Sequence, residues 1–285
     1  MTDFSRYLIA SDIDGTYLSY GGSELVQRNI DALEHFRAGG GLFTLSTGRI
    51  ACTMDPGIPM LRETINAPAV LSNGAVLYDF HKDECYDETL IDEQDVNEIL
   101  QLLLSIKLPG EHIQLSARNA MYFDESNEAI ERYVAPAKPG TIHFSAPDTW
   151  PRDTVYKLIA HGSDEKMAAL RQTLKERFGD RIGTTASAPR SLEIQTGSCN
   201  KAVGLEKLRR HVGEDRILIA CGDYLNDLEM LMAADISVCP ANAHEKVKAI
   251  CDYELCHCKD GLIADIIEKI EAGELTVPPH KRRVK

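Results

Sequence analysis

The stretch IASDIDGTYL, residues 9–18, decides how the rest of the chain is interpreted. Its small and branched apolar side chains predict a short buried strand over residues 7–11, and that strand stops abruptly at Asp12. A second carboxylate follows at Asp14, and Gly15 allows the turn that directs both acids into the same space. Two acids at this spacing are also common as a helix cap or a turn, so they indicate a site only if partners exist elsewhere in the chain.

Buried strands are predicted to alternate with helices towards both ends of the chain. A helix with regularly spaced apolar residues follows the first strand, and the apolar runs GLFTLS (41–46) and AVLS (69–72) come next. The pattern resumes after Gly197 with a helix over about 200–211 and the strand ILIAC (217–221). This alternation predicts parallel βαβ units, and therefore a doubly wound, Rossmann-like α/β sheet that binds ligands at the carboxyl ends of its strands.

Residues 88–195 follow a different pattern. A helix, two strands, a helix, a strand, a helix and two more strands are predicted in that order, which suits an α+β domain with an antiparallel sheet. We therefore predict a discontinuous core, 1–87 and 196–285, interrupted by an inserted cap domain at 88–195.

The composition excludes several classes of function. The 285 residues carry a formal net charge of -13, which disfavours the concentrated positive face that nucleic-acid binding needs. No segment reaches eighteen uninterrupted apolar residues, and the first residues lack the pattern of an export signal, so we expect no membrane partner and a cytoplasmic location. The eight cysteines are then expected to be reduced thiols.

Three local features have two interpretations each. The run CDYELCHC (251–258), with Cys251, Cys256, Cys258 and His257, offers donors that zinc prefers, but no second cysteine pair completes a site, and we expect a strand with small thiol side chains. The tail TVPPHKRRVK is expected to be a solvated, loosely ordered end rather than a nucleic-acid arm. Three cations of the insert are expected to be solvated charges, with recognition of an anionic leaving group as the alternative. These cations are Arg118, Lys157 and Arg190.

Polar residues stand at the ends of several predicted strands and at the start of one helix. They are Asp12, Asp14, Thr47, Lys201, Asp223 and Asp227. Since the carboxyl ends of parallel strands lie on one edge of a sheet, the acids and Thr47 are expected to converge. Carboxylates gathered there would raise each other's pKa unless a cation sat among them, and an oxygen-only set suits Mg²⁺.

This set of groups suits a phosphoryl group. A metal ion and the ammonium of Lys201 would neutralise its charge, while the Thr47 hydroxyl and backbone N–H groups beside Gly48 would hold its oxygens. One aspartate could then attack phosphorus to give an aspartyl-phosphate, and a second, protonated aspartate could donate to the leaving oxygen. Asp12 and Asp14, two residues apart, fit that division.

The motifs together resemble those of the haloacid dehalogenase superfamily, in particular its Cof-type phosphatases with a type IIB cap. The matching residues are DIDGT (12–16), TGR (47–49), NGA (73–75), Lys201, GDYLND (222–227), PANA (240–243) and KDGL (259–262). A DxD pair alone would be weak evidence, whereas all four catalytic motifs in order are strong. The resemblance covers both core segments and, in outline, the insert.

The resemblance implies a role for each acid. Asp12 would be the nucleophile and a magnesium ligand, and Asp223 the remaining side-chain ligand. Asp14 would be the general acid and base, and its backbone carbonyl would also bind the metal. Because Asp14 is present, the chain could protonate a leaving alkoxide and then activate water, so hydrolysis is the expected outcome.

The resemblance also implies how the phosphate is held. Thr47, Gly48 and Lys201 would bind the transferring phosphoryl group. Asn226 would contact the phosphate or the substrate, and Asp227 would orient a metal-bound water or Lys201.

The expected function is that of a Mg²⁺-dependent phosphatase acting on a small phosphorylated metabolite, such as a sugar phosphate or a nucleotide or cofactor phosphate. Phosphotransfer or phosphomutase chemistry on the same core is the near alternative. A metabolite-binding regulator without turnover is the alternative from another class, although it would predict loss of Asp12, Asp14 or Lys201. A glycosyltransferase that holds a metal and a nucleotide sugar with DxD is disfavoured, because such an enzyme needs neither the later lysine nor GDxxND.

Overall fold

The computed structural model describes residues 2–20, 24–55, 57–186 and 190–281. Its chain divides into two compact units. The first comprises Met1–Thr47, Pro59–Tyr86 and Asn200–Lys285, and the second comprises Gly48–Ile58 and Asp87–Cys199. No helix among these described residues is both long enough and apolar enough to cross a membrane.

Fourteen strands and ten α-helices lie within the described residues. The strands are β1 (Tyr7–Ser11), β2 (Leu42–Leu45), β3 (Ala69–Leu71), β4 (Val76–Asp79), β5 (Glu84–Glu88), β6 (Ile113–Ala117), β7 (Met121–Phe123), β8 (Ile142–Phe144), β9 (Val155–His161), β10 (Ile182–Thr185), β11 (Ser191–Thr196), β12 (Ile217–Cys221), β13 (Ile236–Pro240) and β14 (Tyr253–Leu255). The helices are α1 (Gln27–Ala38), α2 (Ala51–Met54), α3 (Leu61–Thr64), α4 (Glu93–Ile106), α5 (Glu128–Val134), α6 (Asp164–Phe178), α7 (Lys201–Val212), α8 (Leu228–Ala233), α9 (Glu245–Lys248) and α10 (Leu262–Glu271).

The first unit is built on a five-stranded parallel sheet of order β14-β13-β12-β1-β2. Leu8 and Ala10 of β1 share one apolar cluster with residues of α7 and α8, while the alternate residue Ile9 is fully buried as well. Strands covered on both faces need continuous apolar runs, which is why YLIAS and ILIAC lack polar alternation. The predicted doubly wound parallel α/β core is confirmed.

The apolar run at 69–72 lies outside the predicted sheet. β3 pairs antiparallel with β4 in a separate three-stranded sheet and forms an isolated parallel bridge with the end of the main sheet, Ser46 to Val70. Asn73 and Gly74 form the turn of this hairpin with φ values of 51° and 93°, a backbone conformation that asparagine and glycine tolerate. The helix predicted after the first strand is α1, which begins at Gln27.

The second unit contains a six-stranded sheet of order β10-β11-β9-β6-β7-β8. Its ladders are antiparallel as predicted, except that β7 and β8 pair in parallel. One face packs against α4 and α6 through a cluster that includes Leu103, Leu115, Leu158 and Leu174. Asp92 and Ser163 cap these helices by accepting backbone N–H groups, which fixes where each helix begins.

The division of the chain differs from the predicted one at residues 48–58. The sequence pattern predicts this segment in the core, whereas Gly48–Ile58 groups with the insert. The Cys52 carbonyl accepts the Lys138 N–H at 2.9 Å, and the Gly48 carbonyl accepts a hydrogen bond from Lys157 Nζ at 2.7 Å. These contacts join residues far apart in sequence, so no local pattern could indicate them.

The insert's three cations do not share one environment. Lys157 was predicted to be solvated, but it is only 4% exposed and its Nζ lies 2.8 Å from Glu193 Oε2. Arg118 is exposed and pairs with Glu88, and Arg190 donates to the Gly162 carbonyl at 3.3 Å. The solvated-charge prediction is therefore wrong for Lys157, because its ammonium is buried against Glu193 and the Gly48 carbonyl.

The two ambiguous segments have simple structures where they are described. The cysteine-rich run forms the short edge strand β14, and all eight cysteines are free thiols. Of the C-terminal tail, residues up to 281 are described and include a single 3₁₀ turn at Pro279–Lys281, whereas residues 282–285 lie outside the described residues.

Candidate active site

The end of β1 positions the first acidic loop. The Asp12 N–H donates to the Cys221 carbonyl of β12 at 2.9 Å, so the ladder continues one residue beyond the strand. The chain then turns tightly, with the Leu18 N–H donating to the Ile13 carbonyl at 2.8 Å. Gly15 sits in this turn at φ +89°, and a Cβ there would lie 2.5 Å from Asp223 Oδ2. Only glycine meets both conditions, because it tolerates positive φ and has no Cβ.

The end of β12 positions Asp223 against that loop. Thr16 Oγ1 donates to Asp223 Oδ1 at 2.8 Å, and the Tyr20 hydroxyl donates to Asp223 Oδ2. Neither Thr16 nor Tyr20 was predicted as a site residue. Thr16 belongs to the DIDGT motif and could have been singled out there, whereas nothing in the sequence distinguishes Tyr20 from a loop aromatic.

A buried lysine joins two of the acids. Lys201 Nζ lies 2.6 Å from Asp12 Oδ1 and 2.6 Å from Asp227 Oδ1. Lys201 is the first residue of α7, and the Asn200 side chain caps this helix by accepting the Val203 N–H at 2.9 Å. The helix start thus fixes where the ammonium lies, although Asp12 is far from it in sequence.

The second oxygen of Asp227 holds the loop that carries Asp223. Asp227 Oδ2 accepts the backbone N–H groups of Asp223 at 3.0 Å and Tyr224 at 3.1 Å. Its side chain is completely buried, so both carboxylate oxygens are used inside the protein. Asp227 therefore orients Lys201 and the Asp223 loop together.

Burial dominates the protonation of these groups. It raises the pKa of Asp12, against the opposing Lys201 charge, and the carboxylates of Asp227 and Asp14 raise that pKa further. Burial also raises the pKa of Asp223 to about 6, with the Asp12 charge adding to the effect. Burial alone would lower the pKa of Lys201, but the two carboxylates outweigh it and raise that pKa. One ammonium does not compensate this many acids.

Carboxylate oxygens of three acids meet closely enough to hold a metal ion. Ligand oxygens of Asp12, Asp223 and Asp227 all lie within 4.8 Å of one another, and all three residues are buried. The donors are oxygens only, and their summed charge exceeds that of Lys201, which is the environment a hard divalent cation prefers. The residues present therefore fit Mg²⁺. Asp14 is not in this trio through its side chain; its expected contribution is a backbone carbonyl.

The remaining predicted residues occupy different positions. β1 and β2 pair Ser11 with Leu45, and the Ser46 N–H donates to the Ser11 carbonyl at 2.8 Å, so buried Thr47 lies at the same sheet edge as Asp12. The Thr47 carbonyl accepts the Asn73 N–H at 2.9 Å, which ties the β3–β4 turn to this edge.

Gly48 and Asn226, the other two predicted phosphate or substrate contacts, are sequence neighbours of residues at this edge. Gly48 follows Thr47 directly but groups with the second unit. Asn226 is partly exposed in the one-turn segment Leu225–Asp227, immediately before buried Asp227.

Comparison with known proteins gives a consistent family. The family model described as haloacid dehalogenase-like hydrolase matches residues 9–267. The HMP-PP phosphatase of Yersinia pestis is 26% identical over 246 residues, covering 85% of this chain and 86% of that protein. The 5-amino-6-(5-phospho-D-ribitylamino)uracil phosphatase of Escherichia coli is 24% identical over 264 residues, covering 92% and 95%. The fold is similar to that of a subclass IIB sugar phosphatase, with TM-score 0.78, 19% identity, and 93% and 99% coverage.

Proposed function

This chain belongs to the family of haloacid dehalogenase-like hydrolases and is a phosphatase, and we propose that it is Mg²⁺-dependent and works through an aspartyl-phosphate on Asp12. The observation that carries the proposal is the buried contact of Lys201 with Asp12, 2.6 Å, beside the acid trio. A carboxylate that must attack phosphorus has to be ionised, and burial works against that. The Lys201 ammonium favours the ionised form.

The first half-reaction transfers the phosphoryl group to the protein. An Asp12 oxygen forms a bond to phosphorus while the bond from phosphorus to the leaving oxygen breaks. Asp14, protonated at this stage, gives its proton to the leaving oxygen, so the product departs as an alcohol. Lys201 and Thr47 hold the phosphoryl oxygens through charge and hydrogen bonding.

The second half-reaction releases phosphate. Asp14, now ionised, takes a proton from a water molecule whose oxygen attacks phosphorus. The bond between phosphorus and Asp12 breaks, which regenerates both acids and gives inorganic phosphate. Mg²⁺, held by Asp12, Asp223 and the Asp14 carbonyl, would neutralise charge on the phosphoryl group in both steps.

We infer that the substrate is a small phosphorylated metabolite. The named relatives are phosphatases of compounds of that size, and the acidic chain suits a locally bound phosphate rather than a polyanion. Phosphomutase chemistry would use the same Asp12 but would return an isomerised phosphate ester. We also propose a cytoplasmic setting, which eight free thiols support.

Phosphate release from 4-nitrophenyl phosphate tests the proposal. The parent chain is expected to release phosphate with Mg²⁺ and to lose this activity when EDTA removes the metal. Asp12→Asn should reduce turnover to background, because the amide is a poor nucleophile. Asp235→Asn is the matched control, since Asp235 pairs with Arg209 at 3.3 Å and is not part of the acid trio. Equal turnover in the parent and Asp12→Asn proteins would refute the mechanism.

A further inference from the structure

The segment Pro240–His244, which begins at the last residue of β13, binds the loop that carries Asp12 and Asp14. Asn242 Nδ2 donates to the Gly15 carbonyl at 2.7 Å. The same side chain accepts the Cys258 N–H through Oδ1 at 3.0 Å. Its amide therefore joins three loops that are distant in sequence: the acidic loop after β1, its own loop, and the segment before α10.

The other end of this loop binds the second acidic loop. The His244 N–H donates to the Asp223 carbonyl at 2.8 Å, and the His244 ring meets the Tyr224 ring edge-on at a centroid distance of 5.7 Å. The Ala243 N–H donates to the Pro240 carbonyl at 2.9 Å, which closes the turn between the two ends. A compact segment of five residues thus holds the backbone of both acidic loops.

The two acidic loops are in close contact where Asn242 acts. A Cβ on Gly15 would lie 2.5 Å from Asp223 Oδ2, so the Gly15 backbone rests directly on that carboxylate. A small shift of Gly15 therefore changes the spacing between Asp223 and the neighbouring Asp14 carbonyl. Mg²⁺ demands near-ideal geometry and responds strongly to such shifts.

We infer that Asn242 is a positioning residue of the magnesium site, which sets the metal affinity by fixing Gly15 relative to Asp223. This inference rests on the proposed function, because it assumes that Mg²⁺ binds between these loops. Asn242 acts through Gly15 and the backbone and is not itself a ligand. Loss of an outer hydrogen-bond partner of a metal site costs about 10–100-fold in metal affinity.

The chain offers a closely matched control. Asn66 Oδ1 accepts the Phe43 N–H at 2.8 Å and its Nδ2 donates to the Gly41 carbonyl at 3.0 Å, so its amide makes the same pair of backbone bonds as Asn242. Both side chains are partly buried in the same unit. Asn66 binds at the amino-terminal end of β2, at the opposite end of the strands from the acids.

Isothermal titration of the substrate-free, full-length proteins with MgCl₂ is the test. Asn242→Ala is expected to raise the Kd for Mg²⁺ by about tenfold or more. Asn66→Ala is expected to lower the melting temperature about as much as Asn242→Ala does, because it removes the same pair of backbone hydrogen bonds. Its Kd for Mg²⁺ should stay within about twofold of the parent value, since these bonds are remote from the metal. At saturating Mg²⁺, the KM of Asn242→Ala for 4-nitrophenyl phosphate should stay within about twofold, because Thr47 and Lys201 hold the phosphate.

Each outcome distinguishes the inference from the proposed function. If the parent takes up Mg²⁺ and Asn242→Ala binds it as tightly, the inference is wrong and the proposed function stands. If the parent takes up no Mg²⁺, both fail. Should Asn242→Ala not fold, Asn242→Ser serves instead, because its hydroxyl is too short to span Gly15 and Cys258, and the same rise in Kd is expected.

Discussion

Replacing Lys201 with methionine tests the electrostatics of the site most directly. Lys201 is the buried cation between Asp12 and Asp227, 2.6 Å from each, and its side chain has no exposed surface. Methionine keeps most of the volume and removes the charge. We expect turnover to fall by about 10²–10³-fold, because the phosphoryl group loses a preorganised cation and Asp12 loses the charge that favours its ionised form.

The destabilisation should depend on pH. Removing one partner of a buried ion pair costs about 3–5 kcal/mol when the other charge is left behind. Asp12 and Asp227 avoid an unpaired buried charge by staying protonated. Burial already raises their pKa values, and loss of the Lys201 charge raises them further. The folded variant then binds more protons than the unfolded chain above the ordinary aspartate pKa of 3.8, so its stability falls as pH rises. If the folded variant retains one proton more than the unfolded chain, its free energy of unfolding is about 3 kcal/mol lower at pH 7 than at pH 5.

Urea unfolding of the metal-free parent and Lys201→Met proteins, with EDTA present, measures the free energy of unfolding at pH 5 and at pH 7. Arg209→Met is the matched control for activity, because Arg209 is a buried cation of the same helix that pairs with Asp235 rather than with a site acid. It is expected to be destabilised and to keep its turnover below its melting temperature. Equal destabilisation of Lys201→Met at both pH values would refute the reasoning, since the acids would then not depend on Lys201 for their charge.

Two further predictions concern the acids. Asp14→Asn should slow release of phosphate from 4-nitrophenyl phosphate by about 10²–10⁴-fold while still binding Mg²⁺ in a titration, and full activity would reassign the acid and base role. Burial raises the pKa of Asp223 to about 6, so protons compete with the metal below that pH. The Kd for Mg²⁺ should therefore rise about tenfold between pH 7.5 and pH 5. A Kd that is constant over this range would contradict the assignment of Asp223 as a ligand.

The sequence alone predicted the core sheet well because its signals are local. A parallel strand covered on both faces must be a continuous apolar run, and YLIAS and ILIAC both became strands at the predicted residues. Since parallel strands end on one edge, the acids that follow those runs could be expected to meet. The helix starting at Lys201 was predicted within one residue for the same reason, because caps and apolar spacing are properties of neighbouring residues.

Membership of a sheet was decided by the tertiary structure instead. The run at 69–72 has the apolar signal of a core strand, yet it pairs with β4 in another sheet. An apolar run predicts that a strand is buried, but it does not predict which strand pairs with it. Similarly, Lys157 has the sequence appearance of a surface cation, and only the fold buries it and pairs it with Glu193.

In the site, the sequence determined which chemical groups are available and the fold determined their partners. Asp12, Lys201, Asp223 and Asp227 stand out in sequence because charged groups at the ends of buried elements need compensation. Tyr20 gives no such signal, because an aromatic in a loop is unremarkable until the fold brings it to the Asp223 carboxylate. Asn242 lies in the PANA motif, but only the folded chain shows that its partner is the Gly15 carbonyl. Local periodicity is fixed by neighbouring residues, whereas these contacts join residues more than two hundred positions apart and exist only in the folded chain.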